Sequence, residues 1–275
     1  MEVRDAVVVG AGPAGLTAAI YLARFRRKVL VLGDGPSRAS WIPESHNTPG
    51  FPHGVGGDEL LARLSAQALE FGVEIRQAHI NALTPNGAGF EVLGREAAIQ
   101  APTVLLATGV LDRMPDLPGI EGAVRRSLVR MCPICDAYEA TDKRLAVLGD
   151  GKHAEREAAF LRGYSDDVTV IGTDEGRLAL TQDTVQWSGV ENTPVRTFDH
   201  LYLALGCQPR SALALACGAR CDEDGNLFVD AHQMTSVEGL YAAGDLVRGL
   251  NQIAVATGEA AIAATAMHNR LRQAA

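Results

Sequence analysis

The chain has 275 residues, 47% of them hydrophobic and 21% charged, which is enough for one large or two modest domains with separate cores. A net charge of −8 with no basic stripe speaks against a nucleic-acid partner. No apolar run reaches membrane length, since the stretch from Ile253 to Met267 is broken by Gly258 and Glu259.

A strand is predicted at Ala6–Val9, so close to the N-terminus that no leader peptide fits before it, and a cytoplasmic protein is expected. The turn Gly10-Ala11-Gly12-Pro13-Ala14-Gly15 follows, then a helix to about Phe25 and a strand at Val29–Leu32. Each glycine of this fingerprint has a task. Gly10 permits a tight turn, Gly12 lets backbone N–H groups approach a pyrophosphate, and Gly15 allows close helix–strand packing. The helix offers its positive end to the phosphates, and Asp34, 22 residues beyond Gly12, stands where an acid meets a ribose hydroxyl. This segment is predicted to bind a dinucleotide.

Apolar spacing through Leu60, Leu61, Leu64, Ala68 and Phe71 predicts a helix over 59–71. A strand at Val73–Ile80, a hairpin from Gly89–Leu93 and Ala97–Ile99, and a strand at Thr103–Ala107 come next. The Pro-containing run Arg113–Gly122 reads as a linker. The opening pattern then repeats: strand Leu145–Leu148, turn Gly149-Asp150-Gly151-Lys152-His153-Ala154, a helix to about Arg162, and strand Val168–Ile171. After the turn-rich run Gly189–Arg196, a crossing precedes Leu201–Gly206, and another strand is predicted at Leu240–Ala243. The duplication predicts an α/β fold of two Rossmann-like dinucleotide-binding domains with parallel sheets, the second inserted into the first. The expected boundaries are 1–112 and 198–275 for the first domain and 113–197 for the insert.

In a reducing compartment five cysteines do not read as a set of structural staples, so a close pair reads as reactive or metal-binding. No metal site is expected. Cys217 and Cys221 have no histidine near them in sequence and read as packing. The informative pair is Cys132-Pro133-Ile134-Cys135, two thiols within disulfide reach at the start of a predicted helical turn. A helix N-terminus lowers a free-cysteine pKa of about 8.5 by a unit or more, and the thiolate is the form that attacks. Asp136 follows directly and is placed to deliver or collect the proton of exchange.

With this fingerprint, the run Ser45-His46-Asn47-Thr48-Pro49-Gly50, the Ala107-Thr108-Gly109 strand end, the CxxC-Asp run and Gly244-Asp245, most of the chain resembles the low-molecular-weight thioredoxin reductase family of flavoprotein disulfide oxidoreductases. The resemblance implies FAD in the first site, on Gly10, Gly12, Pro13, Ala14, Gly15 and Asp34 with Thr108 and Gly109. Asp245 beside Gly244 would hold the ribityl or pyrophosphate region, and Asn47 would lie beside the flavin. Gln252 and Ile253 would start the last helix, aimed at the flavin edge that becomes negative on reduction. Cys135 would face the flavin C4a position and Cys132 would attack a partner disulfide. The insert would rotate about hinges near Arg113 and Phe198, and the protein would be a homodimer.

The second fingerprint departs from the family. Where NADPH-using members carry an arginine pair, this chain has Asp174 and Glu175, which would repel a 2′-phosphate. The lobe is therefore expected to be a platform for the dithiol first, and an NADH or NADPH site second. The expected function is a FAD-dependent reductase passing two electrons through Cys132 and Cys135 to thioredoxin or a similar dithiol partner, with a donor such as ferredoxin if the nicotinamide site is disabled. The alternative is a dithiol oxidase that closes a disulfide in a small molecule with oxygen as acceptor. Related oxidases carry histidine after the second cysteine, and Asp136 favours reduction. A redox sensor without turnover is a third reading. Trp41 and His46 are candidates for the flavin pocket, and Arg130 and Tyr138 for contact with the partner.

Overall fold

The computed structural model describes residues 1–95, 97–189 and 194–273. Along the chain run β1 (Ala6–Val9), α1 (Pro13–Arg24), β2 (Val29–Gly33), β3 (Glu74–Gln77), β4 (Thr103–Leu106), β5 (Val129–Arg130), α2 (Pro133–Asp136), β6 (Leu145–Leu148), α3 (Gly151–Leu161), β7 (Val168–Ile171), β8 (His200–Leu203), β9 (Leu240–Ala242), α4 (Asp245–Arg248) and α5 (Ile253–Gln273), with lesser elements between them. Among the described residues no helix is long and apolar enough to cross a membrane.

The chain forms two compact units, one of Met1–Ser40, Asp58–Leu111 and Gln208–Ala275, the other of Trp41–Gly57 and Asp112–Cys207. The first unit is built on a parallel sheet in the order β9-β4-β1-β2-β3. Every residue of β1 is buried, as a central parallel strand covered on both faces requires. Ala6 and Val8 face a core completed by Ala18, Ala19 and Leu22 of α1 and Ala260, Ala263 and Met267 of α5. Alanines at this contact let the two helices approach closely. Val7 and Val9 face the opposite core, which includes Phe90, Val92 and Ile99 of an antiparallel meander.

That meander differs from the sequence reading. The predicted strand at Val73–Ile80 splits: β3 stays at the edge of the parallel sheet, while Ile80–Asn86 pairs antiparallel with Gly89–Gly94. Pro85 and Asn86 disguise the new strand in the sequence, but its free edge tolerates a residue without an N–H donor.

The second unit has its own parallel sheet, ordered β5-β8-β6-β7. β8 pairs with β5 and β6 here, so the insert runs on to Cys207 and does not end at 197 as expected. α3 makes the crossover between β6 and β7; the chain then turns into an antiparallel sheet of Gly176–Leu180, Val185–Gly189 and Arg196–Phe198. Residues 190–193 of the expected turn-rich run Gly189–Arg196 lie outside the described residues.

Candidate active site

Within the first unit, the glycine turn joins β1 to α1 as its sequence demands. Gly10 has φ +116°, and a Cβ there would meet the Ala107 carbonyl oxygen at 2.2 Å. A Cβ on Gly15 would meet the Gly10 carbonyl oxygen at 1.8 Å, so the helix lies directly on the turn. Pro13 and Ala14 open α1, whose N-cap Gly12 supplies no side-chain hydrogen bond. The first N–H groups of this helix are thus not taken by a cap, which is the arrangement an anion uses.

The other residues expected at this site gather around the same unit. Asp34 follows β2 and is hydrogen-bonded through Oδ2 to His79 Nδ1. Thr108 Oγ1 donates to the Arg210 carbonyl at 2.7 Å and Arg210 N donates to Gly109 at 2.9 Å, which closes the turn after β4. Gly244 is the N-cap of α4, and its N–H donates to Glu259 Oε2 at 2.8 Å. Asp245 pairs with Arg38 Nη1 at 3.3 Å. Gln252 and Ile253 start α5, with the Gln252 carbonyl accepting from Ala256 N at 3.0 Å.

Asn47 is placed with the second unit. Its Nδ2 donates at 3.5 Å to the carbonyl of Ile134, between the two cysteines. His46, considered for the flavin pocket, pairs with Glu44 at 3.2 Å, and Trp41 packs on the core of the second unit.

Cys132 and Cys135 form a disulfide with their Cα atoms 5.3 Å apart. Cys132 is the N-cap of α2, which is one turn of four residues. So short a helix carries little of the macrodipole that the sequence reading assigned to thiolate stabilisation. Electrostatics at this site come instead from Asp136 and its neighbours. Burial pushes the Asp136 carboxyl up to about 6, against the opposing pull of the Arg130 guanidinium and the Tyr202 hydroxyl. Asp136 Oδ2 lies 3.2 Å from Arg130 Nη1, while buried Oδ1 has no hydrogen-bond partner among the described residues. Tyr138 is 79% exposed beside the pair, as a partner contact requires, but Arg130 is only 8% exposed. Arg130 is an internal residue, which corrects its expected role in touching a partner.

The second glycine turn has the expected strand–turn–helix form, with a Cβ on Gly149 meeting the Ala204 carbonyl oxygen at 2.5 Å. The Asp150 carboxylate, at the N-cap of α3, accepts from Thr173 N at 3.1 Å and Thr173 Oγ1 at 2.5 Å. Those bonds hold the Asp150 pKa below the usual carboxylate range. Glu175 accepts the Gly172 N–H at 3.0 Å, and Asp174 is exposed. Cys217 and Cys221 pack against the first unit's core, with Cys217 Sγ donating to the Leu83 carbonyl at 3.0 Å. Among the described residues no group of three or more histidine, cysteine or acidic side chains is placed to hold a metal.

The pattern of the family described as pyridine nucleotide-disulphide oxidoreductase matches residues 4–191 and 179–260. A thioredoxin reductase of Mycolicibacterium smegmatis is 32% identical over 89% of this chain and 89% of its own. The chain belongs to this family. A bifunctional thioredoxin reductase/thioredoxin of Mycobacterium leprae is 32% identical over 95% of this chain, which spans only 64% of that protein's length. Among solved structures, the thioredoxin reductase of Streptococcus pyogenes superposes with a TM-score of 0.90 at 26% identity, covering 98% of this chain and 99% of the other. The protein is a flavoprotein disulfide oxidoreductase of the thioredoxin reductase type, with two Rossmann-like domains.

FAD, which the family implies, fits the first unit: the turn demands glycine, α1 lacks a capping side chain, and Arg38 stands beside Asp245. Sequence reasoning missed Arg38, His79 and Tyr202, and gave Arg130 the wrong role. No periodicity marks such partners, because each pairs across the fold.

Proposed function

We propose that this protein is a FAD-dependent disulfide reductase that passes two electrons through Cys132 and Cys135 to thioredoxin or a similar dithiol protein, from a donor other than NADPH. The observation that carries the reading is a disulfide followed directly by a partly buried acid with one buried oxygen that has no partner among the described residues. A relative that joins reductase and thioredoxin in one name supports the choice of partner.

Gly10, Gly12, Pro13, Ala14 and Gly15 would hold the FAD pyrophosphate, Asp34 the ribose, and Asp245 with Gly244, Thr108, Gly109, Gln252 and Ile253 the remainder, with Asn47 approaching the ring. Bound FAD supplies a reservoir for one electron pair. The Cys132–Cys135 bond takes up two electrons and two protons to give two thiols. Cys132, as thiolate, then attacks a partner sulfur; a mixed disulfide forms and the partner's second sulfur leaves with a proton from Asp136. Cys135 closes the ring by attacking Cys132, which releases the second partner thiol and restores the disulfide. An acid near 6 is suited to both halves, because it is neither fully charged nor fully neutral close to neutral pH.

The donor is argued from Asp150, Asp174 and Glu175. Asp150, bonded to Thr173, and Glu175, bonded to Gly172, put negative charge beside the second turn, and that charge would oppose the phosphates of a nicotinamide dinucleotide. Ferredoxin is the donor class we favour, in a cytoplasmic homodimer. The test is anaerobic mixing with NADPH, NADH and reduced ferredoxin in turn, followed by flavin bleaching. Bleaching by ferredoxin alone is expected; rapid bleaching by NADPH refutes the donor assignment.

A further inference from the structure

Resting on the reading of Asp136 as the proton-carrying acid, we propose that Arg130 is its positioning residue. It pins Asp136 at Oδ2 and at its carbonyl, and so reserves Oδ1 for proton exchange with the dithiol.

The geometry is that of a clamp. Arg130 Nε donates to the Ser127 carbonyl at 3.1 Å, and Nη1 donates to the Asp136 carbonyl at 3.1 Å while lying 3.2 Å from Oδ2. A planar guanidinium tied at both ends cannot follow a wandering carboxylate; it fixes the carboxylate instead. Tyr202, wholly buried on β8, donates its hydroxyl to the same Asp136 carbonyl at 3.3 Å. Asp136 is therefore anchored from β5 and β8, which matters because the single turn of α2 has too few hydrogen bonds to anchor itself.

The two carboxylate oxygens are made unequal. Oδ2 faces a fixed positive charge, while Oδ1 has no hydrogen-bond partner among the described residues. A proton added to this group goes to Oδ1, because protonating Oδ2 would set a proton against the guanidinium. A buried acceptor without a partner persists only where its surroundings hold it, and sites of chemistry are where such atoms are kept.

The charged and titratable neighbours can be named. From β5 comes Arg130; from β8 come Tyr202 and His200, whose Nδ1 donates at 3.0 Å to the Ser127 carbonyl that Arg130 also uses. Burial pushes His200 down to about 4, helped by the Arg130 and Lys143 charges, so it is neutral under working conditions. From the turn after α2, Glu139 raises Asp136. α3 meets the same turn through Ala154 and Ala158, and the 41–57 segment brings Asn47 to the Ile134 carbonyl with His46 held by Glu44. Burial raises Asp136 and Arg130 is foremost among the groups holding it down, so loss of Arg130 moves the acid upward.

The test uses the reduced full-length protein and an aromatic disulfide, whose thiolate leaving group needs no proton. The exchange rate is followed from about pH 5 to about pH 9, with folding checked by circular dichroism and retained flavin absorbance. Asp136→Asn should erase an inflection near 6 in the wild-type profile. Arg130→Met should move it upward by about one unit, a tenfold change in the acid's dissociation constant, and Arg130→Lys should restore most of the difference. A folded Arg130→Met protein with its inflection unmoved overturns the clamp while leaving Asp136 in its role. An inflection that survives Asp136→Asn overturns that role and the clamp together. If Arg130→Met does not fold, Arg130→Lys and Tyr202→Phe decide: a smaller upward shift in each supports the clamp, and no shift in either refutes it.

Discussion

Replacing Asp136 by asparagine should cost catalysis and repay stability, and the size of that exchange follows from the site. The carboxyl rises from 3.8 to about 6 on folding, chiefly because burial penalises its charge. Roughly two units at 1.36 kcal/mol each come to about 3 kcal/mol. Since the folded value is raised above the unfolded one, this group's contribution is complete below about pH 4 and is lost as pH climbs through about 6. His200 acts in the opposite sense, its contribution being present above 6.5 and lost as pH falls through about 4. Comparing wild type with the variant cancels the histidine. Urea unfolding of both oxidised proteins at about pH 4.5, 6 and 8 should show the stability difference moving toward asparagine by about 2 kcal/mol across the series, the part of the effect that lies above about pH 4.5. A difference that stays flat, or moves toward the wild type, refutes the claim that burial governs this acid.

Glu259→Ala should destabilise the first unit by about 1–3 kcal/mol and weaken FAD retention, because the buried Gly244 N–H loses its acceptor while exposed Arg248 simply turns to water. Glu259→Gln keeps an acceptor and should be milder; equal losses in equilibrium unfolding would contradict this account. Cys135→Ser should leave the protein yellow and end electron passage to any disulfide acceptor, which stopped-flow reduction with a photoreduced flavin would report. Asp150→Ala should tighten nicotinamide-nucleotide binding by roughly several-fold in a fluorescence titration, with unchanged affinity arguing that the carboxylate is no barrier.

The fold could be read because its strongest signals are local. Two apolar strands, Ala6–Val9 and Leu145–Leu148, each run into a glycine turn and a helix, and the structure buries every residue of both. The site was readable only in its covalent part. Cys132, Cys135 and Asp136 are adjacent in sequence, whereas the groups that tune them are not: Tyr202 reaches Asp136 across 66 positions. Arg38 likewise meets Asp245 across 207. Arg130 was visible but misjudged, since a cation near a dithiol reads as surface until β5 and β8 are known to enclose it. β8 itself was assigned to the wrong unit because a strand's sequence does not say which of two parallel sheets it will join.

The chain leaves the first unit for the longer of its two excursions at Val110–Asp112 and returns at Cys207–Pro209, and those two short strands are hydrogen-bonded neighbours. Exit and entry stubs are therefore adjacent, flanked by the Gly109–Arg210 and Arg113–Gly206 bonds. Cutting out the stretch between them and joining the stubs by a tight hairpin would leave the Gly10–Gly15 unit with its sheet unbroken, since β9, β4, β1, β2 and β3 all lie outside the excised stretch. The arrangement makes the longer part of the disulfide-bearing module removable at a single point, so an exchange of chemistry on the same nucleotide-binding chassis would have to replace the 41–57 segment as well, because Trp41 packs on the second unit's core.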